Sequence, residues 1–204
     1  MMYDRVVGDF WLRQGWKYRC SAWWYRKAWD LPMSVVLAKH GISLNGAATI
    51  PEVVERFKGR VRWRPDALFQ IADLIKPPLV LLDDKGEDCD GIAGLWAAAI
   101  KFALSQDGYQ ARIVSYLAAP WQFSHHICLV GCPDGGLVAI QPPPSEAQDP
   151  DLDPVVRNSD GSLMRFASYE QAAHEIASWY GATVQGFDVR DSHWGVVEKW
   201  RWLA

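Results

Sequence analysis

The chain is short of cysteine: four thiols in 204 residues, Cys20, Cys89, Cys128 and Cys132. That is too few for a disulfide scaffold of this length, so free thiols in a reducing compartment are expected. No apolar run approaches the ~20 residues of a membrane-spanning helix. Residues 1–30 mix Arg, Lys, Asp and Trp without the apolar stretch of a signal peptide, which makes the cytoplasm the expected location. An excess of one charge is also missing. The net charge is −3, which gives no reason to expect a bulk polyanion as partner. No segment repeats another.

Apolar side chains and tryptophan are what the chain has in plenty. Half of its residues are hydrophobic, enough for a sizeable core in a single domain over residues 1–204. The twelve tryptophans admit two readings, thick aromatic packing or a protein-partner surface at the Trp-rich ends. Residues 1–58 read as a Trp/Arg-rich N-terminal extension followed by short helices. In its first part Trp11, Trp16, Trp23, Trp24 and Trp29 interleave with Arg5, Arg13, Lys17, Arg19, Arg26 and Lys27. Such interleaving can bind nucleic acid or seat a helix on a membrane. The absence of a compact basic run favours packing of the rings on the main domain with the bases in water.

Residues 59–142 carry the chemistry. Helices are expected over 33–40 and over 49–57, where Thr49 caps and Pro51 follows; His40 reads as a helix-end group rather than a catalytic one. A short edge strand is expected over 60–64 and a helix over 66–75, closed by Lys76-Pro77-Pro78. Then comes Gly86-Glu-Asp-Cys-Asp-Gly, a loop turning into a helix. Ile92, Leu95, Trp96, Ala99, Ile100 and Phe102 recur at helical spacing, with Asp88 placed as N-cap and Gly108 as stop. Cys89 therefore falls in a helical first turn, where free N–H groups and the helix dipole favour a thiolate. Asp83, Asp84, Glu87, Asp88 and Asp90 oppose that charge, so a basic partner is needed.

After Gly108 the period becomes extended. Strands are expected over 109–117, 126–130 and 137–141, the last two joined by the turn Pro133-Asp-Gly-Gly136 and hence antiparallel. A helix followed by an antiparallel meander makes an α+β fold. Residues 143–204 add a loop, a helix opened by Ser168-Tyr-Glu-Gln171 and running to Trp179, and a strand over 182–189; His174 reads as an ordinary helix residue. The segment with Trp194, Trp200 and Trp202 reads as a short C-terminal helix or tail.

A cysteine in Gly-x-x-Cys-Asp at a helix start, an Ala-rich helix ending near Gly108-Tyr109, Ala111-Arg-Ile-Val, and a histidine opening a strand before a turn and a further strand form one pattern. It resembles the transglutaminase-like cysteine peptidase superfamily, in particular its small bacterial and phage-type members, over about residues 60–142. The resemblance implies a papain-like core with the nucleophile helix packed on an antiparallel sheet. Carried over by position, Cys89 matches the nucleophile and His126 the general base, with His125 the adjacent alternative. Gln141 holds the place of the family's Asp or Asn. Glutamine can orient an imidazole but offers it no negative charge, and Asp134 can serve instead only if its turn folds back.

The implied chemistry is attack on an amide of a peptide or protein, through a thioester. Water then gives hydrolysis and an amine gives transamidation. No cofactor or metal is called for. Strand alternation puts His126 with Cys128, Val130 and Cys132 on the face suited to the Ala97–Ala99 helix, and His125 on the other. Competing readings stay open. Cys89 can be a buried small hydrophobe. His126, Cys128, Cys132 and Cys89 can be a zinc set, although ~13 Å separates the sulfurs of Cys128 and Cys132 along a straight strand. An EF-hand fails because Leu95 stands eleven places after Asp84. A catalytically inactive binding module keeps the fold without the reaction.

Overall fold

The change of period at Gly108 is where helix gives way to sheet. The computed structural model describes residues 31–62, 76–86, 89–120, 124–141 and 153–203. The Trp/Arg segment up to residue 30, the helix expected over 66–75, the Asp88 cap and most of the 141–154 loop lie outside the described residues. Among the described residues four helices precede the change: α1 (Met33–Lys39), α2 (Ile50–Glu55), α3 (Pro78–Asp84) and α4 (Cys89–Leu104). After it come β1 (Gln110–Ala119), β2 (Ser124–Gly131), β3 (Leu137–Ile140), α5 (Tyr169–Trp179), β4 (Thr183–Arg190) and β5 (Val196–Trp202). The fold is α+β, and the strands form one antiparallel sheet in the order β3-β2-β1-β4-β5.

Local chemistry accounts for the helix ends. Thr49 Oγ1 accepts from Glu52 N, and Glu52 Oε2 accepts from Thr49 N at 3.1 Å and Ala48 N at 2.7 Å, so α2 opens on a capping box. In α5, Ser168 Oγ accepts from Gln171 N at 3.1 Å and Gln171 Oε1 accepts from Ala167 N at 2.7 Å. Pro77-Pro78 does not merely close an earlier segment. Pro78 is the first residue of α3, where a missing N–H costs nothing. Arg60, expected in a strand, lies in a turn with its guanidinium donating to the His40 carbonyl at 2.8 Å; Val61 and Arg62 are not strand either.

Helix α4 is not the one-sided helix its spacing announced. Every residue from Asp90 to Ile100 is buried, while Phe102, assigned to the apolar stripe, is 47% exposed. A helix buried all round has no polar face for the pattern to show. On one side it packs on β1 and β2. On the other side Val36 and Leu37 of α1, Val53 and Val54 of α2 and Leu81 of α3 cover it within the same core. Each large side chain it buries, such as Leu95 or Ile100, contributes roughly 1.5–3 kcal/mol. Helix α5 covers the opposite face of the sheet through Ala172, Ala173 and Ile176.

Strand β1 is the middle strand and is buried on both faces from Ile113 to Ala118. The β2–β3 turn is as expected, with Cys132 N donating to Gly136 O at 3.1 Å and Gly135 N to Cys132 O at 3.0 Å. The C-terminal tryptophan segment is strand β5, not a helix or tail. Val-Val-Glu-Lys-Trp-Arg-Trp is rich in strand-prone residues, and β4 supplies the ladder partners. Gly186 of β4 makes the pairing possible, because a Cβ there would lie 2.7 Å from the Trp200 ring. No described helix is long and apolar enough to cross a membrane.

Candidate active site

Cys89 is the first residue of α4 and is half-buried. The acidic residues around it are partly paired with cations. Asp83 binds Lys39 Nζ at 2.8 and 3.0 Å with His40 Nε2 at 3.4 Å, and the Lys39 ammonium holds its carboxyl below the usual range. Asp84 pairs with Lys76 at 3.3 Å. Asp90 is buried, with Oδ1 accepting from Gly91 N. The turn that seemed to oppose a thiolate thus directs two of its carboxylates to lysines.

His126 lies in β2 and is 1% exposed. Its ring meets Trp194, which belongs to the same core as α4, so the imidazole is on the α4 face of the sheet. His126 Nδ1 and Ser115 Oγ are 2.9 Å apart, across the β1–β2 pair in which their Cα atoms are partners. Ser115 is also the partner of Asp188 in β4, which makes a lateral row of imidazole, hydroxyl and carboxylate across three strands. Asp188 is held in a buried ion pair by Arg190, 2.5 Å from Nη2 and 3.0 Å from Nε. Burial first, then the charges of His125 and Arg190, push the His126 pKa well below that of a free imidazole. A neutral imidazole is the form a general base needs.

His125 is on the other face, its ring edge-on to Tyr116 at 5.5 Å, and burial pushes its pKa down to about 4. Tyr116 is fully buried, and its pKa is raised by burial and then by the nearby Cys89 and Tyr180. Helix α4 packs directly on β1 and β2.

Gln141, the expected orienting residue, is engaged elsewhere: its Nε2 donates to Tyr180 Oη at 2.5 Å. Tyr180 packs against the α5-side core, across the sheet from His126. The observed partner of His126 Nδ1 is Ser115. Asp134 does not fold back; it is an exposed turn residue paired with Arg165 at 3.1 Å. His40 caps the end of α1, and His174 is a residue of α5.

Cys128 is wholly buried and its pKa is driven up by burial; Cys132, half-buried at the turn, is also raised, chiefly by burial. Cys20 lies outside the described residues. Among the described residues no three His, Cys, Asp or Glu side chains converge as a metal-binding group.

The sequence reading missed Ser115, Asp188, Arg190 and Trp194. A serine inside the apolar run Ile113-Val-Ser-Tyr-Leu117 was the available signal. Its meaning depends on the β1–β2 register, which the sequence does not print.

No family model matches the sequence, and no curated protein matches it. Among solved structures the chain is similar to Legionella pneumophila LapG, with a TM-score of 0.41 and 15% identity over 80% of this chain and 94% of that one. A likeness of that size leaves the chemistry to be argued from the residues themselves.

Proposed function

We propose that the chain is a cysteine-dependent hydrolase with a papain-like, transglutaminase-like core, acting on an amide of a peptide or protein. The observation that carries the reading is His126. It is a buried imidazole, its pKa pushed down by burial, bonded at Nδ1 to Ser115, on the sheet face against which the Cys89 helix packs. With Nδ1–H donating to the hydroxyl, Nε2 keeps its lone pair for a proton.

His126 Nε2 takes the Cys89 Sγ proton as the sulfur attacks the amide carbon, forming the S–C bond. Backbone N–H groups at the start of α4 stabilise the oxyanion. The C–N bond then breaks, and the proton passes from His126 to the leaving amine. Water, deprotonated by the same imidazole, hydrolyses the thioester, releasing the acid and restoring the thiol. An amine in place of water gives transamidation. Burial and Arg190 disfavour imidazolium at rest, so charge separation belongs to the attack rather than to a standing ion pair. The orienting role falls to Ser115 in place of Gln141.

A hydroxyl in place of a carboxylate beside His126 also favours a second reading, an inactive module that keeps the fold and binds a protein partner through its Trp-rich ends. A peptidyl chloromethyl ketone separates the two. The enzyme reading expects an adduct on Cys89 in the native chain, weakened at least about tenfold by His126→Ala. A chain that takes the adduct on Cys20 and not on Cys89 leaves only the binding module.

A further inference from the structure

We infer that the β4–β5 hairpin tip, residues 191–195, is built to hold Trp194 against His126, making Trp194 a positioning residue for the imidazole. The inference rests on the reading of Cys89 and His126 as the reacting pair.

Loop tips ordinarily present small or polar side chains to water. Here the tip turns a tryptophan inward until it is 1% exposed, with its ring 5.6 Å from the His126 ring at 71°. The backbone is forced to do this. Trp194 has φ +63°, a left-handed conformation that bulky residues avoid. Such strain persists only where the surroundings over-determine it, and it gathers at functional positions.

The surroundings here are explicit. Asp191 N donates to Gly195 O at 2.9 Å, and Trp194 N donates to Asp191 O at 3.0 Å. Asp191 Oδ1 accepts from His193 N at 2.9 Å and from Gly195 N at 2.8 Å. A Cβ at Gly195 would lie 2.8 Å from Asp191 Oδ2, so a side chain there displaces the carboxylate. One carboxylate, one glycine and one strained tryptophan therefore form a single device whose product is an aromatic edge on His126.

What the device adds is a second constraint. Ser115 meets Nδ1, and the indole packs edge-on against the ring as a further constraint, which holds the direction of Nε2. Charged or titratable groups near the ring include His125 on its own strand and, across β1, Arg190 with Asp188; Cys89 is the proposed reacting partner, and His193 stands next to Trp194 in the tip. Trp194 adds shape to that set without adding charge.

The test uses the full chain, with iodoacetamide as probe, from about pH 5 to about pH 9. Two readouts are taken: the alkylation rate of Cys89 and the His126 pKa by NMR. Trp194→Leu is expected to raise the His126 pKa toward the ordinary imidazole value as water reaches the ring, and to slow Cys89 at neutral pH about tenfold because the loss of a fixed Nε2 direction outweighs the gain in basicity. Trp194→Phe, which keeps an aromatic edge, is expected to recover most of both. Gly195→Ala is expected to act like Trp194→Leu, because it displaces the Asp191 carboxylate while the indole is still present. It decides the matter alone if Trp194→Leu does not fold. Both readouts unchanged in folded Trp194→Leu, or in Gly195→Ala, overturn the inference. A native chain in which Cys89 ignores His126→Ala overturns the catalytic reading instead, and the NMR pKa still reports whether Trp194 fixes the ring.

Discussion

Ser115→Ala removes one oxygen from a buried site. Ser115 is 2% exposed and faces His126 Nδ1 at 2.9 Å. Without the hydroxyl a buried ring N–H loses its acceptor, which costs about 1–3 kcal/mol. At 1.4 kcal/mol per tenfold, the folding equilibrium falls by about 5- to 150-fold. The ring also loses the bond that selects its tautomer, so Cys89 alkylation at neutral pH falls with stability. Urea unfolding midpoints measure the first effect and iodoacetamide labelling the second. The double variant Ser115→Ala/His126→Leu is expected to cost less than the sum of the singles by at least about 0.5 kcal/mol, because removing both partners leaves nothing unpaired. Additivity within about 0.3 kcal/mol, with Cys89 reactivity unchanged in Ser115→Ala, refutes the Ser115–His126 bond as an organising feature.

Gln141→Leu is expected to cost about 1 kcal/mol through its lost bond to Tyr180 and to leave Cys89 alkylation within twofold; a collapse of reactivity returns the orienting role to Gln141. Ile100→Ala in the buried helix is expected to cost about 2–5 kcal/mol by calorimetry, whereas Phe102→Ala, at 47% exposure, stays within about 0.5 kcal/mol. Stability also depends on acid. His125 has its folded-state pKa pushed down to about 4 against an unfolded value near ~6.5. Between those values the unfolded chain binds the proton and the folded chain does not, so stability falls as pH drops through that window and this contribution levels off below it. His126 acts in the same direction. His125→Asn is expected to flatten the decline in urea midpoint over that window, and an unchanged slope contradicts the buried neutral state.

Much of the helix-to-sheet order was legible because punctuation and period agreed. Gly108, at φ +85°, ends the turn after α4, and the 133–136 turn sets the β2–β3 hairpin. The α5 start was visible in Ser168 and Gln171. Two failures have physical causes. Strand β5 is an exposed edge whose side chains show no buried-face alternation, so only pairing with β4 reveals it. Phe102 was drawn into the stripe because a helix buried all round gives periodicity nothing to contrast. Of the candidate site, the place of Cys89 at a helix start followed from local sequence, and the α4 face of His126 from strand parity. Ser115, Asp188 and Trp194 did not. They reach His126 through cross-strand register and a strained hairpin tip, both products of tertiary pairing between residues far apart in the chain.

The central claim is that one imidazole serves one sulfur, and pH-dependent alkylation of the full chain with mapping of each labelled cysteine tests it most directly. The account predicts that at neutral pH Cys89 reacts with iodoacetamide faster than a free thiol of pKa ~8.5, by proton transfer to His126 during attack, that His126→Ala abolishes this advantage, and that His125→Ala does not. Cys89 reacting no faster than Cys20 at neutral pH, or keeping its advantage in His126→Ala, contradicts it.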